Sequence, residues 1–182
     1  MKLIASTLVL LTLSLGVFAQ EKPERTLETT FDSIRTQVAN EASPEAIRTT
    51  ISALIDFPLI ARLTVGKTHW MAAEVATREA FITKFTDYLF KSYLDQLPQY
   101  INTELSIDDV IIRGDKAKVM ATVSSNDQKT QIAFKLYETA DTWKLYDMDI
   151  AGVSLLKSFR MEFESALKSG GLDALIQSFE NK

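Results

Sequence analysis

The chain has 182 residues, with 20 lysines and arginines against 24 aspartates and glutamates, for a formal net charge of −4. That balance argues against nucleic acid, which needs a basic face, and against simple electrostatic adhesion to anionic headgroups. With no cysteine and one histidine, disulfides are excluded, a zinc site is disfavoured, and stability has to come from packing.

Residues 1–20, MKLIASTLVLLTLSLGVFAQ, join one early cation, Lys2, to an apolar run and a small-residue end. Val17 and Ala19 fit the pattern read by a signal peptidase, which predicts a signal peptide at 1–19 and an exported, soluble protein. The run is short for a spanning helix, which needs about 20 apolar residues, and a cysteine-linked lipid anchor has no residue to form on. Residues 20–182 then make a single domain of net charge −5, long enough to bury a core.

From Glu24 to Val38, the apolar positions Leu27, Phe31, Ile34 and Val38 form one helical stripe. Ser43 as N-cap and Pro44 at the first helical position start a second helix, carrying Ile47, Ile51, Leu54 and Ile55. Asp56 caps a third, short helix with Pro58 in its first turn and Gly66 as its stop. A long helix is predicted from Glu74 to near Leu97, with Phe81, Phe85, Tyr88, Leu89 and Tyr93 on or beside one face and Pro98 ending it.

After Asn102 the period changes. Residues 105–113, 116–124, 129–138 and 142–150 read as four strands separated by turn-rich RGDK, SSNDQK and ETADT, short connections that imply an antiparallel meander. A helix from Ser154 to near Lys168, a break at Gly170-Gly171 and a last short helix close the chain. Helices, then a meander, then helices define an α+β class, with helices laid against one curved sheet.

No residue set reads as plainly catalytic. AGVSLL lacks the glycine that follows the serine of a nucleophile elbow, there is no glycine-rich phosphate loop, and His69 reads as a surface or edge residue. Asp108 and Asp109 fall at a strand entrance, usually a solvated position. Asp147 and Asp149 are the sharper case. In WKLYDMDIAGVSLL, Trp143 and Leu145 are apolar on the face where both aspartates follow, whereas Tyr146, Met148 and Ile150 are apolar on the other. A buried face that switches midway suits a bulged strand, with the aspartates accepting hydrogen bonds from loop N–H groups. The alternative is a general base in a cavity. Gly152 lets the chain turn, and Ser154 suits the N-cap of the closing helix.

The faces assigned inward offer Phe81, Phe85 and Tyr93 from the long helix, Val119, Val123, Phe134 and Leu136 from the sheet, and Leu155, Leu156, Phe159 and Phe163 from the closing helix. A filled core and a lined pocket draw on the same residues.

Two blocks favour a pocket. LIDFPLIARLTVGKTHW with AEVATREAFITKFTDYLFKSY resembles one half of the signature of the MlaC family, periplasmic phospholipid shuttles also called toluene-tolerance auxiliary proteins. The matching features are Asp56-Phe57, Ala61-Arg62, Gly66 before Trp70, Arg78 before Phe81, then Phe85 and Tyr93. WKLYDMDIAGVSLLKSFRMEFESALKSGGLDALI supplies the rest, with Trp143, Tyr146-Asp147, Gly152-Val153-Ser154, Arg160, Phe163 and Gly171-Leu172 in step. Three features depart from the family: Ala151 in place of an acidic residue, Glu74 in place of Ser or Thr, and the short SSNDQK turn.

The resemblance implies a nuclear-transport-factor-two-like fold in which helices and a four-stranded curved antiparallel sheet enclose an apolar pocket for lipid tails, leaving the headgroup exposed. By face and by motif, the lipid-facing set is Phe57, Ile60, Trp70, Phe81, Phe85, Tyr93, Val119, Val123, Phe134, Leu136, Tyr146, Met148, Val153 and Phe159. The resemblance further implies a periplasmic carrier with phospholipid as cargo and neither cofactor nor metal. Its partners would be an outer-membrane lipoprotein complex and the substrate-binding ring of an inner-membrane ABC transporter, with only transient membrane contact. Another amphiphile such as a hopanoid, a small enzyme of the same fold using Asp147 or Asp149, and a packed scaffold are the other readings.

Overall fold

The computed structural model describes residues 21–95, 103–125 and 128–179; the expected signal peptide, the stop at Pro98 and the turn residues Asn126 and Asp127 lie outside the described residues. Helix α1 (Pro23–Ala39) starts at a proline and buries Leu27 and Ile34. Helix α2 (Pro44–Leu54) is capped by Ser43, whose hydroxyl accepts from the Ala46 N–H at 3.3 Å. In α3 (Phe57–Ala72), the Asp56 carboxylate accepts from the Leu59 N–H at 2.9 Å. Gly66 stops the first helical segment of α3, as expected, at φ 74, ψ 165, a conformation essentially confined to glycine, and a second helical segment follows to Ala72. Helix α4 (Val75–Ser92) is shorter than the stripe suggests, because the chain leaves helical geometry at Tyr93.

The strands are β1 (Glu104–Arg113), β2 (Lys116–Ser125), β3 (Gln128–Glu138), β4 (Trp143–Ile150) and β5 (Val153–Ser154), antiparallel throughout in the order β1-β2-β3-β4-β5. The sheet thus has five strands where the sequence predicted four. Two residues are too few to show an alternation, so β5 leaves no trace in the pattern. It arises because Ala151 and Gly152 both take positive φ, 48 and 84, as a type I′ hairpin turn requires. Helix α5 (Leu155–Phe179) follows and is broken at Gly170 and Gly171, as expected.

Apolar residues gather into two cores. The helical core joins α2, α3, α4 and α5 around Phe81, Phe85, Phe159 and Phe163, with Phe85 edge-on to Phe159 at 5.3 Å and to Phe163 at 5.5 Å. Such aromatic pairs add about 0.5–1.5 kcal/mol beyond the area they bury. The second core lies between α1 and the sheet, where Leu27 and Phe31 cover Val119, Phe134 and Leu136. Trp143 closes its end and donates its indole N–H to the Glu21 carbonyl at 2.8 Å.

Candidate functional site

Register between β3 and β4 slips next to Lys135: Lys135 pairs with Asp147, but Leu136 pairs with Leu145, so Tyr146 is the extra residue of a bulge. The bulge turns the strand over. Before it, Trp143 and Leu145 belong to the sheet core; after it, Met148 packs there, and Asp147 and Asp149 fall on the other side.

An apolar cavity lies here, where the two cores meet. Ile55, Phe57 and Ile60 form one wall, and Leu89, Tyr93 and Leu94 at the end of α4 form another. The bulge contributes Leu145, Tyr146, Asp147 and Met148, and α5 contributes Leu155, Leu156 and Phe159. The cavity holds about 550 Å³ free of protein atoms, including its open mouth, and exposes no polar atom to its interior. The room open to a water-sized guest is only about 80 Å³, well below the range of about 300–1,000 Å³ usual for small-molecule sites, so the cavity is nearly closed as it stands.

Hydrogen bonds hold these walls from behind. Asp147 is buried, and its Oδ1 accepts from the N–H groups of Met148 at 2.9 Å and Leu156 at 3.1 Å. Its Oδ2 accepts from the Ser154 hydroxyl and the Lys135 ammonium, both at 2.9 Å. Ser154 in turn accepts from the Lys157 N–H at 3.2 Å, so serine and aspartate together cap α5 and fix it to the bulge. Lys135 also donates to Asp149 at 2.6 Å. Burial by itself would lower the Lys135 pKa, but hydrogen bonds and charge from the two aspartates outweigh it and hold the ammonium above its usual value.

Asp56 fastens the opposite wall. Its N–H donates to the Leu145 carbonyl at 3.0 Å beside a parallel bridge between Ile55 and Leu145, and Tyr137 donates its hydroxyl to Asp56 Oδ2. That hydrogen bond, with burial second, pushes the Tyr137 hydroxyl up to about 12. Both oxygens of Asp147 are held by fixed donors, so the carboxylate braces the bulge against the start of α5. Among the described residues no group of three or more His, Asp or Glu could hold a metal ion, and no helix is long and apolar enough to cross a membrane.

Residues 24–181 match the family described as MlaC protein. The chain belongs to the MlaC family. The phospholipid-binding protein of Ralstonia solanacearum, solved in complex with a phospholipid, matches with a TM-score of 0.77 at 18% sequence identity, over 88% of this chain and 96% of its own. At that identity the likeness speaks for the fold. A de novo designed β-sheet protein of cystatin fold matches 43% of this chain and 93% of its own at 14% identity, with a TM-score of 0.26, too low to bear on the architecture.

In this MlaC-family chain, six of the residues assigned to lipid from sequence meet at the cavity: Phe57, Ile60, Tyr93, Tyr146, Met148 and Phe159. Eight lie elsewhere. Phe81 and Phe85 are fully buried and stacked at 5.5 Å inside the helical core, and Trp70 packs on that core under the Arg78 guanidinium. Val119, Phe134 and Leu136 fill the sheet core, Val123 pairs with Leu105 and Thr130 further along β2, and Val153 is 57% exposed in β5. Each sits on an apolar face, but periodicity marks such a face without saying which of two cores, or the seam between them, it meets. The lining also includes Ile55, Leu89, Leu94, Leu145, Leu155 and Leu156, outside the assigned set. Leu155 and Leu156 had a signal, since they directly follow the Ser154 cap.

Proposed function

We propose that this chain is a lipid carrier that takes the acyl chains of a phospholipid into the cavity at the helix–sheet junction. The observation that carries the reading is a wholly apolar cavity whose one lining carboxylate, Asp147, is tied up in capping α5. Family membership and a fold shared with a phospholipid-binding relative point the same way. We assign the tail contacts to the six residues above together with their leucine and isoleucine neighbours.

The energetics fit a carrier. Two acyl chains of about 16 carbons, at roughly 0.8 kcal/mol per CH₂, would cost on the order of 25 kcal/mol to expose to water. A pocket restores that burial, so transfer between bilayer and protein is nearly balanced, and direction has to come from partners. In this proposal residues 1–19 direct export, residues 20–182 work in the periplasm as one domain, and the partners are an outer-membrane lipoprotein complex and the substrate-binding ring of an inner-membrane ABC transporter. Asymmetry of the outer membrane would be maintained by that traffic.

Native mass spectrometry of the periplasmic protein, with organic extraction of its cargo, tests the reading. One phospholipid per protein is the expected result. A hopanoid or another amphiphile would keep the mechanism and change the pathway. Protein that is lipid-free, and still empty after incubation with liposomes, would overturn it.

A further inference from the structure

Helix α4 ends at Ser92, and Tyr93 leaves helical geometry at φ −135, ψ −49. Tyr93 and Leu94 nevertheless stay on the cavity. Both line it, with the Tyr93 ring 6.0 Å from Phe159 and 48% of the residue open to solvent, which places them at its rim. The next residue, Asp95, is held by another element. Its Oδ2 accepts from Arg48 Nη2 on α2 at 3.0 Å. The same guanidinium approaches Asp87 at 3.9 Å and lies 4.3 Å over the ring of Phe90, which packs at 5.4 Å against Phe57 of the cavity wall.

Arg48 thus grips the last turns of α4 through two carboxylates and a ring, and the outermost grip adjoins the rim. We propose that the Arg48–Asp95 pair is a latch holding Tyr93 and Leu94 against the cavity, and that its release admits an acyl chain. Apolar contacts at a rim are not directional and fix no single geometry, whereas a charge-assisted hydrogen bond from a guanidinium to a carboxylate oxygen at 3.0 Å does. The pair is also suited to opening. Its side chains are 27% and 44% exposed, so solvent weakens the attraction and the latch shifts a population without locking it. Lysine at position 48 would keep the charge but lose the planar guanidinium that reaches Asp95 and Asp87 from two nitrogens and lies over Phe90. The identity of what enters rests on the carrier reading; the latch does not.

Two measurements test it: transfer of a fluorescent phospholipid from vesicles, and the entry rate of an amphiphilic dye, anilinonaphthalene sulfonate, whose aromatic rings seek apolar cavities. Arg48→Ala and Asp95→Asn should each speed both by about two- to fivefold, and the double variant should be no faster than either one. Asp87→Asn, at the longer distance, should change little. Because the chain has no cysteine, Arg48→Cys with Asp95→Cys can be joined by a short, reducible bis-thiosulfonate linker. Joined protein should slow at least about tenfold in both assays and recover when reduced. Joined protein that exchanges lipid and admits dye at the unjoined rate would overturn the latch. If dye entry follows the latch while no variant, nor the native chain, carries lipid, the carrier reading fails and the latch stands.

Discussion

Asp147 sits at the point where the bulge, the β5 strand and the first turn of α5 converge, so its substitution reaches all three. Asparagine keeps the shape but turns an amide donor toward the Lys135 ammonium or the Leu156 N–H, leaving a buried donor without an acceptor. We expect Asp147→Asn to cost about 2–4 kcal/mol, read from the midpoint of urea unfolding. Asp149 shares Lys135 but is more open, and Asp149→Asn should cost about 0.5–1 kcal/mol. Purified Asp147→Asn protein with native stability but no lipid transfer would make the carboxylate functional after all. Alkaline pH probes the neighbouring groups. Folding raises the Tyr137 pKa from 10.0 to about 12 and raises that of Lys135 above 10.5. A raised value means that the protonated form is favoured by the fold. The contribution is therefore whole below the unfolded value and lost as pH climbs through the folded one. Stability should fall between pH 10 and 12, and Tyr137→Phe should flatten part of that fall while lowering the plateau at neutral pH.

Two backbone features set the geometry of the elements around the cavity. Gly66 lets α3 change direction between the turn bearing Ile60 and the turn bearing Trp70. A Cβ there would meet no atom within 4 Å, so Gly66→Ala isolates the backbone cost, about 1–3 kcal/mol in thermal or urea unfolding. At the β4–β5 turn the inequality reverses. Ala151 holds φ 48, where asparagine or aspartate is better accommodated, so Ala151→Asn should stabilise by about 0.5–1 kcal/mol. The same geometry would suit the acidic residue expected at position 151, and nothing in the structure explains the alanine there. Much of this layer was legible beforehand. Ser43, Asp56 and Ser154 marked helix starts, and the apolar switch from Leu145 to Met148 announced the bulge. What stayed hidden has physical reasons. β5 is too short for a period. Phe81 and Phe85 carry the same stripe whether they face a lipid or one another.

At the scale of the molecule, the helical and sheet cores are each filled on their own, and the cavity lies on the seam between them. Packed cores move as units more readily than they deform, so the seam can widen while each core keeps its packing. On the carrier reading it has to widen. Two acyl chains far exceed the room of about 80 Å³ that the seam leaves, so cargo would push the α4–α5 side away from β4. A cargo bound by the folded state alone stabilises that state, by about 2.7 kcal/mol at a hundredfold excess over its dissociation constant. For a chain of this size that amounts to a rise of about 5–10 °C in thermal midpoint between stripped and loaded protein. Leu156→Trp, at the start of α5, should fill the seam in place of the cargo. The stripped variant should then melt within a few degrees of the stripped native protein, yet gain almost nothing from phospholipid and retain little on extraction. If Leu156→Trp takes up lipid with the full midpoint shift, the tails lie somewhere other than this seam, and the six assigned contacts fall with it.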